Sequence, residues 1–353
     1  MNDQPRLFGI KKSNRDYTNP NTWGKNQFNS SFPASLACYM NFKGINPVYI
    51  GTDENMSRKM GYISVDNLFG IDPLGDDIYF SFETQYVPFQ KYIIGQIPRN
   101  DLVIMSNNQC ISSLEIKLVA LPDNSTCNLP EDKFGSEIVV RPDTIIYLAC
   151  SMIQAYHDDP AAIKNAIDYA ASGVKDWTEA KEVIPYLDEI YWAIRRMVND
   201  VHSNQVPLIM EPVWKTQGKS SKLADNCLDI FIWSNLGALN LFMPCENEEF
   251  HSISRHTRTM IWLFKMLQEY TEKEHFNGAR IIDELSYNTK NDKAFASNGL
   301  RTHPIMTCQE LIMPRIHKRE IKHIILGGGQ NLLSPERRFD AIIYNSPDLF
   351  SDD

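Results

Sequence analysis

The sequence predicts an α/β protein: a mixed central sheet flanked by helices, with a largely helical insertion. Three observations carry this reading. Two apolar runs, Asp101–Met105 and Ile111–Ala120, flank the turn-forming Ser106-Asn107-Asn108-Gln109 and read as a hairpin. Helical periodicity then covers Asp143–Tyr156, where Ile146, Ala149, Cys150 and Ile153 share a face. It returns over Glu249–Glu272, striped by Phe250, Ile253, Thr257, Met260, Phe264 and Leu267.

The remaining elements follow in chain order. Ser35–Phe42 is a short apolar stretch that suits either helix or strand. Ile78–Phe82 reads as a strand, and Tyr86–Ile94 as another. Ser136–Val140 adds a further strand before Pro142 introduces the first helix. Asp176 and Glu179 resemble a capping box, ahead of Val183, Leu187, Ile190, Tyr191 and Ile194 at helical spacing. Pro185 must kink or divide that segment. Pro207–Trp214, Leu228–Trp233 and Arg338–Tyr344 complete the strand-like runs.

No internal repeat and no linker is visible, so the 353 residues are read as a single compact domain, 1–353. Within it the hairpin falls in 78–140, a helical segment in about 143–202, and a mixed region in 205–353. Hydrophobic residues make up 43% and charged residues 22%, ordinary for a globular chain. There is no apolar run of membrane-spanning length, and the polar stretch Met1–Arg15 lacks a secretion signal, so a cytoplasmic location is expected. The seven Cys are scattered without a CxxC pair, which suits free thiols. A net charge of −9 weighs mildly against a nucleic-acid partner, although a basic cleft on an acidic body is physically allowed.

The chemistry is concentrated in Leu114-Glu115-Ile116-Lys117-Leu118. On a strand the three apolar residues point one way, and Glu115 and Lys117 point the other. If the hairpin turns about Asn108, Asp101 lies directly across from Glu115 on that same face. Two opposed carboxylates repel, and a hard divalent cation between them relieves the repulsion. Lys117 beside them could contact a scissile phosphate or help activate water, which together is equipment for metal-assisted phosphodiester hydrolysis. The competing reading is that Glu115 and Lys117 form the solvated face of an edge strand.

The spacing of Asp101 and Glu115-x-Lys117 resembles the PD-(D/E)XK nuclease signature. Longer strings are similar to the HindVP-type restriction endonucleases. They are Trp23-Gly24-Lys25-Asn26-Gln27-Phe28-Asn29-Ser30-Ser31-Phe32-Pro33, Glu115-Ile116-Lys117-Leu118 running on to Leu121-Pro122-Asp123, and Gly327-Gly328-Gly329-Gln330 followed by Ser334-Pro335-Glu336-Arg337-Arg338-Phe339-Asp340. The resemblance implies a restriction-endonuclease-like core, a Mg²⁺ cofactor, double-stranded DNA as substrate and a homodimer. It also implies Asp101, Glu115 and the backbone carbonyl of Ile116 as metal ligands, Lys117 as the catalytic lysine, and GRCGYC, cut after the purine, as target. One departure is visible: Asn100 stands where the signature has Pro.

Glu83 lies where some related nucleases place a third acid, and an exposed strand-end carboxylate is the plainer reading. The Gly327 triplet lacks the Lys-Ser/Thr of a P-loop. His251 and His256 are five residues apart, so they do not share a helix face for a metal. Lys25, Asn26, Gln27, Lys219, Arg301, Lys318 and Arg319 are candidate DNA contacts by residue type. Two other functions stay open: a structure-specific repair or recombination nuclease, and a catalytically silent DNA-binding protein.

Overall fold

The computed structural model describes residues 12–14, 25–52, 58–118, 138–140, 142–200, 207–210, 213–217, 220–227, 230–234, 252–253, 255–287 and 295–297. In chain order the elements are α1 (Lys25–Lys43), β1 (Val48–Thr52), β2 (Arg58–Tyr62), α2 (Val65–Phe69), β3 (Ile78–Thr84), β4 (Asn100–Ser106), β5 (Gln109–Leu118), β6 (Ile138–Val140), α3 (Pro142–Ala155), α4 (Pro160–Ile167), α5 (Ala180–Val183) and α6 (Leu187–Asp200). There follow β7 (Pro207–Met210), β8 (Val213–Gln217), β9 (Ser220–Cys227), β10 (Ile230–Ser234), α7 (Arg255–Lys273), α8 (Gly278–Glu284) and β11 (Phe295–Ser297).

A seven-stranded sheet, in the order β2-β1-β7-β10-β5-β4-β3, organises the molecule. The expected mixture of parallel and antiparallel pairing is corrected here. Every ladder described in this sheet is antiparallel, because β3, β4 and β5 follow one another as neighbours and β10 runs against both β5 and β7. Among the described residues, parallel pairing at the sheet is confined to an isolated bridge between Ser13 and Phe80. There the Asn14 amide donates to Phe80 O at 3.2 Å and the Phe80 amide to Lys12 O at 2.9 Å.

Strand alternation decides what covers each face. Phe80, Phe82, Leu102, Ile104, Leu114 and Ile116 are buried at alternate positions of β3, β4 and β5. α1 packs against β3 and β5, and its buried Ala34, Leu36, Ala37 and Met40 supply the apolar surface. On the opposite face Val103 joins a large core with α3, α4, α6 and α7. Three layers result: helix, sheet, helices.

The hairpin turns more tightly than a pivot at Asn108. Ser106 pairs with Gln109, leaving a two-residue turn in which Asn107 (φ 48°) and Asn108 (φ 64°) are both left-handed. Such primed turns match strand twist, and Asn tolerates the conformation. A β-bulge follows: Met105 pairs with Cys110 but Ile104 with Ser112, so Ile111 is the extra residue. Both bulge residues reach the α2 side, where Ile111 lies beside Gly70 and the Ser112 hydroxyl donates to Phe69 O at 2.6 Å. Beyond the bulge Leu102 pairs with Leu114, so the register carried one residue further sets Asp101 opposite Glu115. The expected register is reached at Leu102 and Leu114, through a tighter turn and a compensating bulge, and the described ladder ends there.

Other expectations change in detail. Tyr86–Ile94 is not a strand but contains a 3-10 helix, Val87–Tyr92, because Pro88 fits a first helical turn and buries Phe89 and Tyr92 inward. Asp176 and Glu179 do not form a capping box. Glu179 makes no side-chain cap bond, Asp176 accepts the Thr178 amide at 2.9 Å, and Glu182 accepts the amides of Lys175 and Asp176. Pro185 divides the segment as expected, lying in a 3-10 turn (Ile184–Tyr186) between α5 and α6. Ser35–Phe42 is helical, inside α1. The run Pro207–Trp214 splits between β7 and β8, which belong to different sheets. α7 is described from Arg255, with Ser252 and Ile253 outside it. Arg338–Tyr344 lies outside the described residues. Among the described residues no helix is long and apolar enough to cross a membrane.

One side chain ties α3 to the entry of β4. The buried Tyr147 hydroxyl donates to Pro98 O at 2.9 Å and accepts the Tyr86 amide at 3.0 Å. Tyr147→Phe leaves both backbone groups without that partner and is expected to cost about 1–3 kcal/mol in urea unfolding; an unchanged midpoint would refute the assignment. A second tie joins the 3-10 helix to the turn after α3, where Asp158 accepts hydrogen bonds from Lys91 and Tyr92. Burial pushes the Asp158 carboxyl up, but those two hydrogen bonds and the Lys91 charge outweigh it and hold the group below the usual carboxylate range. Its stabilising contribution is present above its unfolded pKa and is lost as pH falls through the folded value. Asp158→Asn is expected to flatten the acid limb of stability below about pH 4, and an acid limb identical to wild type counts against it.

Candidate functional site

Asp101, near the start of β4, and Glu115, in the middle of β5, face the helical core layer. Asp101 is half-buried, and its carboxylate oxygen Oδ2 accepts the backbone amide of Ile116 at 2.8 Å. The described β4–β5 pairs end at Leu102 and Leu114, so the carboxylate takes over as the cross-strand acceptor at that point. The amide of Asp101 in turn donates to the side-chain oxygen of Asn100 at 2.7 Å, and Asn100 is buried. The residue that departs from the nuclease signature therefore orients the acid that follows it.

Glu115 is only 6% exposed, an unusual setting for a carboxylate. Its Oε1 accepts the hydroxyl of Thr144 at 3.1 Å, and Thr144 is itself buried. Thr144 lies in the first turn of α3, so the carboxylate meets the positive end of that helix. One turn on, Tyr147 registers the same charge. Burial pushes its phenol well above the usual range, and the charges of Cys150, Glu115 and Asp143 add to the rise against the Tyr86 hydrogen bond.

Lys117 lies two residues beyond Glu115 on β5, where its backbone pairs with Phe231 of β10 while Glu115 pairs with Trp233. β5 is thus paired on both sides and is not the edge strand that the competing reading required. Glu83 sits between Phe82, paired with Leu102, and Thr84, paired with Asn100. It is half-buried and adopts a left-handed φ of 50°, interrupting the β3–β4 ladder beside Asp101.

Lys25, Asn26 and Gln27 form the first turn of α1, at the level of the backbone. Lys219, Arg301, Lys318 and Arg319 lie outside the described residues, as do the Gly327 triplet and His251. The structure brings the Asp101 carboxylate to the Ile116 amide and the Glu115 carboxylate to Thr144. A cavity of about 510 Å³ opens at the bulge, lined by Asp66, Asn67, Ser112, Ser113 and Gln154 among others, but by neither Asp101 nor Glu115. Sequence reasoning missed Thr144, which is far from Glu115 along the chain, and Asn100, whose only signal was the missing Pro.

The donor set is one of hard oxygens, two carboxylates on neighbouring strands. That suits Mg²⁺, which is commonly held by one or two carboxylates and completes its shell with water and substrate phosphates.

Comparison with known proteins identifies the family. No solved structure matches the chain. The family model of the HindVP restriction endonuclease matches residues 23–350. Type II restriction enzyme HgiDI of Herpetosiphon aurantiacus is 42% identical over 353 residues, covering 99% of this chain and 98% of that protein. The probable type II restriction enzyme HindVP of Haemophilus influenzae is 46% identical over 355 residues, covering 99% of this chain and 96% of that protein. Full-length similarity of this extent leads to one conclusion: the chain belongs to the HindVP family of type II restriction endonucleases.

Proposed function

We propose that this protein hydrolyses both strands of double-stranded DNA at a short palindrome, using Asp101, Glu115 and Lys117 on a restriction-endonuclease-like core. The observation that supports the proposal is a cross-strand-anchored Asp101 and a buried Glu115 on neighbouring interior strands. Carboxylates on neighbouring strands are hard oxygen donors of the kind that suits a bound Mg²⁺. Asp101, Glu115 and the backbone carbonyl of Ile116 would hold Mg²⁺. When bound, the ion supplies a water nucleophile at neutral pH and offsets the charge that develops on the phosphoryl oxygens.

The protein's own groups do the rest. Asp101, fixed by the Ile116 amide, and Glu115, fixed by Thr144, keep their oxygens in place before substrate arrives. Preorganisation of this kind avoids reorganisation at the moment of reaction. The ammonium of Lys117 carries the positive charge for the scissile phosphate. A palindromic target matches a twofold-symmetric homodimer, which sets two such sites on opposite strands. The family resemblance points to GRCGYC as the first target to test.

Incubation of plasmid DNA with the purified protein and Mg²⁺ is expected to give discrete fragments whose sequenced ends share one palindrome. Asp101→Ala should abolish those fragments, and Lys117→Ala should slow cleavage at least ~10²–10³-fold, the scale of losing one transition-state charge partner. Discrete cutting that survives either substitution would sink the assignment of the site. Random nicking, or cutting only at branched DNA, would replace sequence recognition by structure recognition.

A further inference from the structure

We infer that Thr144 is a positioning residue for metal binding: its hydroxyl, at the start of α3, holds the Glu115 carboxylate in the orientation that receives the cation. The inference rests on the reading of Asp101 and Glu115 as the metal site and adds a residue that the signature does not contain.

An ionised carboxylate can only accept hydrogen bonds, so the Thr144 hydroxyl is the donor in its 3.1 Å contact with Glu115 Oε1. Both side chains are buried, Glu115 at 6% and Thr144 at 4% exposure, so water contributes little to holding the carboxylate. The anchor is stiff at both ends. β-Branching restricts χ1 of Thr144, and α3 is itself pinned to the chain entering β4 by Tyr147, through Pro98 O and the Tyr86 amide. From the first turn of α3 the Thr144 hydroxyl donates across to the sheet.

The geometry has a consequence for affinity. A carboxylate free to rotate must lose that freedom when it binds a cation, whereas one already held by a donor loses less. Hydrogen bonds to the groups that ligate a metal fix ligand orientation, and removing them lowers metal affinity about 10–100-fold. Thr144→Val keeps the branched shape and removes the donor. Thr144→Ser keeps the donor and removes a methyl group.

The test is Mn²⁺ binding to the full-length protein without DNA, followed by electron paramagnetic resonance, together with the Mg²⁺ concentration that half-saturates plasmid cleavage. Thr144→Val should weaken Mn²⁺ binding and raise the half-saturating Mg²⁺ concentration by about 10–100-fold, with the maximal rate recovered at high Mg²⁺. Thr144→Ser should behave as wild type in both. A merely structural role would lower the thermal midpoint without moving Mn²⁺ affinity, and that result overturns the inference, as does a Thr144→Ser variant as weak as Thr144→Val. If Thr144→Val does not fold, Thr144→Ala carries the same expectation. Glu115→Gln separates the two levels of argument. If it binds Mn²⁺ like wild type, the metal-site reading fails; if it loses Mn²⁺ while the folded Thr144 variants do not, only the role of Thr144 fails.

Discussion

One inserted residue in β5, Ile111, determines which atoms meet across the hairpin that carries the candidate chemistry. The two-residue Asn107-Asn108 turn alone would pair Asp101 with Leu114, an acid against an apolar residue. A slip of one residue sends every side chain of a strand to the other face. The bulge absorbs the offset within a single step, so Asp101 and Glu115 share one face while Leu102, Ile104, Leu114 and Ile116 share the other. The layer of α1 and the layer of α3 and α7 can then both be satisfied by the same strands.

Putting a carboxylate on the face that the helices cover creates a cost, and the surrounding structure is arranged around it. A core position opposite α3 is ordinarily apolar, as Val103 shows. At Glu115 the helix begins instead of passing over, so the carboxylate meets a hydroxyl and the positive end of a helix dipole. Asp101 is handled differently: it lies at the end of its ladder and becomes part of the hydrogen-bonding scheme by accepting the Ile116 amide. The two acids are therefore held by different means, one by a side chain and one by the main chain. An overall charge of −9 is no obstacle to such a site, since local placement and not the total determines what a cation meets.

Much of this was legible in the residues. Alternation in Leu114–Leu118 gave the faces, and the two asparagines gave the turn. The register that pairs Leu102 with Leu114 was also reached, although from an unbulged hairpin pivoting at Asn108; the tighter turn and the bulge are two offsets that cancel. Bulges leave little trace in a sequence, because the extra residue obeys no period. Tyr86–Ile94 misled for a different reason. Its aromatics sit at strand-like density, but Pro88 favours a helical start and the burial of Phe89 and Tyr92 follows a three-residue repeat. Thr144 could not have been found from spacing, since it meets Glu115 only after the chain has left the sheet and returned. Nor could antiparallel pairing of β10 with β5 be read, because strand direction between distant segments is a property of the whole topology.

The position of β5 in its sheet bears on how the molecule fluctuates. Exposing Glu115 to solvent by local opening requires releasing β5 from β4 on one side and β10 on the other, together with the first turn of α3. Segments that must break several contacts at once open close to the free energy of global unfolding, while strand ends and loops open far more readily. Glu115 thus travels with a slow-exchanging part of the described structure, and motions of strand ends and loops can run on their own timescale without loosening its carboxylate.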